Sequence, residues 1–64
     1  MTGQDKEEYE LEIVMETDEA FLLTDGIIEE WFPKSQMEFD EGFDIGDTAV
    51  FMIPEWLAAK KGLV

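Results

Sequence analysis

From Glu8 the chain alternates, with Tyr9, Leu11, Ile13 and Met15 on one side, Glu8, Glu10, Glu12 and Glu16 on the other, and Val14 out of step. Period-two alternation marks a strand with one buried and one solvated face; a helix would scatter these glutamates around its axis. Residues 17–19 (TDE) interrupt the pattern as a turn, and residues 20–24 (AFLLT) form a second apolar run. Asp25 and Gly26 follow. Asp-Gly between apolar runs predicts a tight type I′ hairpin, whose central residues both need positive φ. Residues 27–32 (IIEEWF) would then be the return strand, ended by Pro33, which has no N–H to give a ladder.

Residues 34–47 (KSQMEFDEGFDIGD) hold two glycines and five acids without a sustained period, which predicts an irregular connection. Residues 48–53 (TAVFMI) are β-prone and apolar throughout, as in a buried strand. Pro54 suits the first position of a helix, where its missing N–H costs nothing. Residues 54–61 (PEWLAAKK) carry Glu55 in the first turn and Lys60 and Lys61 in the last, with Gly62 after them, which complements the helix dipole and supplies a left-handed cap. Trp56, Leu57 and Leu63 are expected to pack this helix on the sheet. These elements describe an α+β fold: a small antiparallel sheet of three to four strands packed with one short C-terminal helix. Residues 1–7 read as a flexible acidic tail and residues 8–64 as a single compact domain.

Composition changes the picture in two ways. A chain of 64 residues buries only about 60% of the surface its unfolded form exposes, so it needs a dense core. With 45% hydrophobic residues it has the material for one, and disorder is not expected. Cysteine and histidine are both absent, which removes disulfides, thiolate metal sites and the usual nucleophile and general base. No enzyme, cofactor or metal is expected.

Charge is the outlier. Seventeen acids against four lysines give a formal charge of −13, where small soluble domains carry a net charge of magnitude ~2–8. Direct nucleic-acid binding is excluded by sign, because phosphates require Lys and Arg, and an anionic membrane surface is disfavoured for the same reason. No apolar run approaches a membrane span and the N-terminus is acidic, so the expected location is cytoplasmic.

The acids fall into two groups. On the first strand, Glu8, Glu10 and Glu12 would share one face at intervals of about 6.8 Å, from the ~3.4 Å rise per residue, and no cation on that strand is expected to interleave with them. That regular negative charge resembles a nucleic-acid backbone; the plain alternative is a solvated face. Asp5 and Glu7 precede these three glutamates, and Glu16, Asp18 and Glu19 extend the group into the turn. The second group, Glu38, Asp40, Glu41, Asp44 and Asp47, lies in the long connection, where a calcium loop would need a ligand spacing that is not present. Glu8, Glu10, Glu12, Glu16, Asp18, Glu19, Asp40, Glu41, Asp44 and Asp47 are therefore the candidate partner-binding surface.

Other features have structural readings. Glu29 and Glu30 would point to opposite faces of their strand, with no pocket or partner to make a catalytic pair. Trp31, Phe32, Phe39, Phe43, Phe51 and Trp56 lack the positive groove of a base-stacking platform and are expected to be core. Thr17, Thr24, Ser35 and Thr48 lack an activating base and read as turn and capping residues.

Residues 30–36 (EWFPKSQ) and 53–63 (IPEWLAAKKGL), extended by residues 16–23 (ETDEAFLL), resemble a family of small acidic proteins from phages and mobile elements. Such chains share a Trp-x-Pro-Lys-Ser-Gln turn and an Ile-Pro-Glu-Trp-Leu-Ala helix, and some resemble type I anti-CRISPR proteins. The resemblance implies a phage protein, cytoplasmic in an infected or lysogenic bacterial host, with no catalytic residues to carry over. Together with the acidity it leads to the expectation of a DNA-mimicking inhibitor that blocks DNA binding by a type I RNA-guided surveillance complex; an exposed edge strand could pair two copies, so a monomer or homodimer is expected. Two alternatives remain open: a DNA mimic against a restriction or DNA-repair enzyme, and a phage accessory module that binds through the Trp31 turn and the Trp56 helix without mimicry.

Overall fold

The computed structural model describes residues 5–64, so the first four residues of the expected tail lie outside it. The elements are β1 (Lys6–Glu16), β2 (Ala20–Thr24), β3 (Glu29–Pro33), a 3₁₀ turn (Lys34–Gln36), β4 (Glu38–Phe39), β5 (Thr48–Pro54) and α1 (Glu55–Lys61). All strands pair antiparallel in one sheet ordered β3-β2-β1-β5-β4. The α+β class and the C-terminal helix are as expected; the fifth strand is the two-residue β4, too short to show a period in sequence.

β1 is the spine. Its first part, Lys6 to Glu12, pairs with β5, and its last part, Glu12 to Glu16, pairs with β2. It begins before the expected Glu8: Lys6 and Glu7 stand opposite Pro54 and Ile53, and the Asp5 carbonyl accepts a 3.1 Å bond from the Glu55 N–H. Beyond the end of β5, Ile13 is tied to the long connection, donating to the Asp47 carbonyl at 2.9 Å and accepting from Gly46 at 2.7 Å. The connection expected to be irregular throughout is thus sewn to the sheet at its end.

A bulge at Val14 changes the faces of β1. Ile13 stands opposite Leu23 and Met15 opposite Leu22, so one residue of β1, Val14, has no partner on β2. The inserted residue flips everything after it. Met15 is therefore 52% exposed rather than part of the buried face. Glu16 pairs with the buried Phe21 and turns to the core side, away from the other glutamates.

The hairpin between β2 and β3 also differs from expectation. Among the described residues no non-glycine residue has positive φ, which excludes a type I′ turn at Asp25-Gly26. The loop instead runs over residues 25–28, with Gly26 at φ 99°. The Asp25 carboxylate accepts the N–H groups of Ile27 and Ile28 at 2.8 and 2.9 Å, while the Thr24 hydroxyl donates to the Ile28 carbonyl at 2.6 Å. Side chains close this turn in place of a backbone ladder. The return strand starts at Glu29, and Ile27 is left 90% exposed.

Those two N–H bonds hold the Asp25 carboxyl below its ordinary pKa. A carboxyl with a depressed folded pKa adds stability above its unfolded pKa and loses that contribution as pH falls through the folded value. Asp25→Ala is therefore expected to melt at a lower temperature than the parent at neutral pH, with the difference shrinking as acid protonates Asp25. Paired thermal melts across that pH range check this.

The core lies on one face of the sheet: Leu11 and Ile13 from β1, Phe21 and Leu23 from β2, Phe32 from β3, Ala49, Phe51 and Ile53 from β5, with Met37 beneath. α1 adds Leu57 and Ala58, and Leu63 packs against them. Fully burying each large side chain contributes about 1.5–3 kcal/mol. Pro54 ends β5 and caps α1 rather than opening it. At the other end Gly62, at φ 89°, donates to Ala59 at 3.2 Å and Leu63 donates to Ala58 at 2.9 Å, a Schellman closure. Trp56 is 41% exposed, because Leu57 and Ala58 set the inward side of the helix. Among the described residues no helix is long and apolar enough to cross a membrane.

Candidate functional site

The face of the sheet opposite the core has no covering layer among the described residues. Glu8, Glu10 and Glu12 all point to it, since their cross-strand neighbours are Met52, Val50 and Thr48 rather than the buried Phe51 and Ala49. Residues of flanking strands join them there. Glu38 on β4 lies across Met52 from Glu8, and Glu29 on β3 lies across Thr24 from Glu12. Given ~4.8 Å between strands and ~6.8 Å between alternate residues, this is a two-dimensional array of carboxylates. All five are exposed.

Glu38 and Glu29 are acids that the strand pattern did not select for this face. Glu29 alternates with Trp31 on its own strand, which was a signal, but its neighbours depend on the register of β2 and β3. Lys6 is the cation not expected on β1; it approaches Glu38 at 3.7 Å. The pair is loose and Glu38 is largely exposed, so it offsets little of the array's charge.

The array encloses two shallow hollows. One, about 320 Å³, is floored by Val50 and Met52 and walled by Glu8 and Glu38; the other, about 230 Å³, lies among Glu10, Glu12, Thr24 and Asp25. An apolar row crosses the far side of the face: Met15, Leu22 and Trp31 are direct cross-strand neighbours on β1, β2 and β3. Trp31 is 42% exposed, so the expectation that it is core does not hold.

The remaining candidate acids fall elsewhere. Glu16 and Asp18 meet Asp40 and Glu41 around a groove of about 260 Å³ at the end of the sheet, over Ile13, Phe21, Phe39, Phe43 and Phe51. Lys34, from the 3₁₀ turn, crosses this groove: its Nζ is 2.7 Å from Glu16 Oε2 and 4.8 Å from the centre of the Phe21 ring. Glu19 is exposed in the β1–β2 turn, its carbonyl accepting the Lys34 N–H at 2.8 Å. Thr17 caps that turn, its hydroxyl accepting the N–H groups of Glu19 and Ala20 at 3.3 and 3.1 Å. Asp44 and Asp47 serve their own loop, the Asp47 carboxylate accepting the Asp44 N–H at 2.9 Å. Among the described residues no three carboxylates converge as metal ligands. The acids are displayed, not gathered.

Of the candidate residues, Glu8, Glu10 and Glu12 share the open face and Glu16, Asp18, Asp40 and Glu41 the groove, while Glu19, Asp44 and Asp47 join neither. Asp40 also borders the Glu8–Glu38 hollow, which makes the two regions continuous around β4. No protein-family model, curated protein or solved structure matches this chain.

Proposed function

We propose that this protein inhibits a DNA-binding host complex by presenting a protein imitation of DNA, and that it is an anti-CRISPR of phage origin acting on a type I RNA-guided surveillance complex. The observation that carries the first half is the open face: Glu8, Glu10, Glu12, Glu29 and Glu38 stand on one uncovered sheet surface. Carboxylates that cost the fold repulsion, and that no second layer neutralises, suit a surface of Lys and Arg built to grip phosphate. The choice of a type I complex rests on the motif resemblance of residues 30–36 and 53–63 alone.

A second reading draws support from Trp31 and Trp56, both substantially exposed. Aromatic residues of this kind anchor protein interfaces, so an accessory module that binds through them would not need the acids. A restriction or repair enzyme would engage the same acidic face as a surveillance complex. Binding of target DNA by the purified surveillance complex, with and without a stoichiometric excess of this protein, tests the proposal. Loss of DNA binding supports it, and undiminished DNA binding sinks it.

A further inference from the structure

The groove at the end of the sheet has a chemistry that the open face lacks, because its floor is aromatic. Phe21 meets Phe39 and Phe51 edge-on, with ring centres 5.0 and 5.4 Å apart, and Phe43 stands at the mouth, 39% exposed. The rim is carboxylate. Among the described residues Asp18, Asp40 and Glu41 form no ion pair, and Lys34 is the one cation on the lining, already bound to Glu16.

We infer that this groove receives an arginine side chain of the partner protein, stacked on the Phe39 and Phe43 rings and bonded to the carboxylates of Asp40 and Glu41. Lys34 shows the principle within the chain: a cation lies between an aromatic ring and a carboxylate, 4.8 Å from the one and 2.7 Å from the other. The groove, about 260 Å³, is roomy enough for a side-chain head with part of its stem. A guanidinium fits better than an ammonium, because it is planar, weakly hydrated, stacks on rings and offers a fork to carboxylates. An apolar ligand is disfavoured, since it would desolvate the rim acids without compensating them.

The inference rests on the reading that this chain engages a basic protein, but its test needs no such protein. The chain is titrated with N-acetyl-L-arginine amide, and separately with the lysine and norleucine analogues, while amide and aromatic resonances are followed by NMR. Saturable shifts centred on Phe39, Gly42 and Phe43 are expected, several-fold tighter for arginine than for lysine and absent for norleucine. Phe43→Ala and the double change Asp40→Asn with Glu41→Gln should each weaken that binding several-fold while other resonances stay in place. Equal affinity for lysine, shifts spread over the Glu8–Glu12 face, or no saturation would overturn it. Saturable arginine binding together with undiminished DNA binding by the surveillance complex would leave the groove standing and remove the proposed target.

Discussion

Replacing Glu8, Glu10 and Glu12 together by glutamine is expected to make the protein more stable and less inhibitory. Adjacent carboxylates about 7 Å apart along a strand repel by roughly 0.5 kcal/mol in a water-like dielectric, and salt screens part of that. Relieving the two adjacent pairs should raise the melting temperature by a few degrees, as expected for up to about 1 kcal/mol in a domain of this size. On the proposed function the same change removes three contacts to Lys or Arg, each worth up to ~1 kcal/mol, and weakens binding roughly tenfold to a hundredfold. Stability and inhibition therefore move in opposite directions, the mark of residues retained for a surface and not for the fold. Thermal melts and inhibition of DNA binding by the surveillance complex, measured on the same preparations, check both halves. Trp31→Ala is the comparator: if it abolishes inhibition while the triple glutamine variant retains it, the accessory-module reading replaces mimicry.

Phe51→Ala is expected to unfold most of the protein at physiological temperature. Phe51 is buried, stands opposite Tyr9 and Phe39 in the sheet, and meets the Phe21 ring at 5.4 Å. Truncating a buried phenylalanine costs about 3–5 kcal/mol through lost burial and the cavity left behind. A domain of 64 residues has a total stability of roughly 3–10 kcal/mol, and no disulfide supplements it here. Urea unfolding should show a collapsed midpoint or no folded baseline. Val50→Ala, on the exposed face one residue away, should change the midpoint little.

Much of this architecture was legible where one face alone is buried. Tyr9, Leu11 and Ile13 set the inward side of β1, and the charges and glycine around residues 55–62 marked both ends of α1. The Val14 bulge was hidden because Val14 and Met15 are both apolar, and nothing in residue type tells which of them is the inserted one. Glu16 consequently lies beside Phe21 on the core side, where strict alternation predicts the glutamate face. Asp25-Gly26 has the pattern of a two-residue turn because Ile27 and Ile28 look like strand; what decides otherwise is the Thr24 hydroxyl and the Asp25 carboxylate, which close a longer loop. Trp56, Leu57 and Ala58 are consecutive on α1, and the burial of Leu57 and Ala58 leaves Trp56 turned outward. The groove joins residues from the β1–β2 turn, the 3₁₀ turn and the loop after β4, a juxtaposition made by tertiary contacts such as Lys34 with Glu16 and Glu19 that no local pattern shows.

The central claim is that the acidic face and DNA compete for one surface. Duplex target DNA is titrated into the purified type I surveillance complex at several fixed concentrations of this protein. The account predicts that the apparent Kd for DNA rises in proportion to the concentration of this protein, with no complex containing both ligands. An unchanged Kd, or a ternary complex of DNA, surveillance complex and this protein, would contradict it.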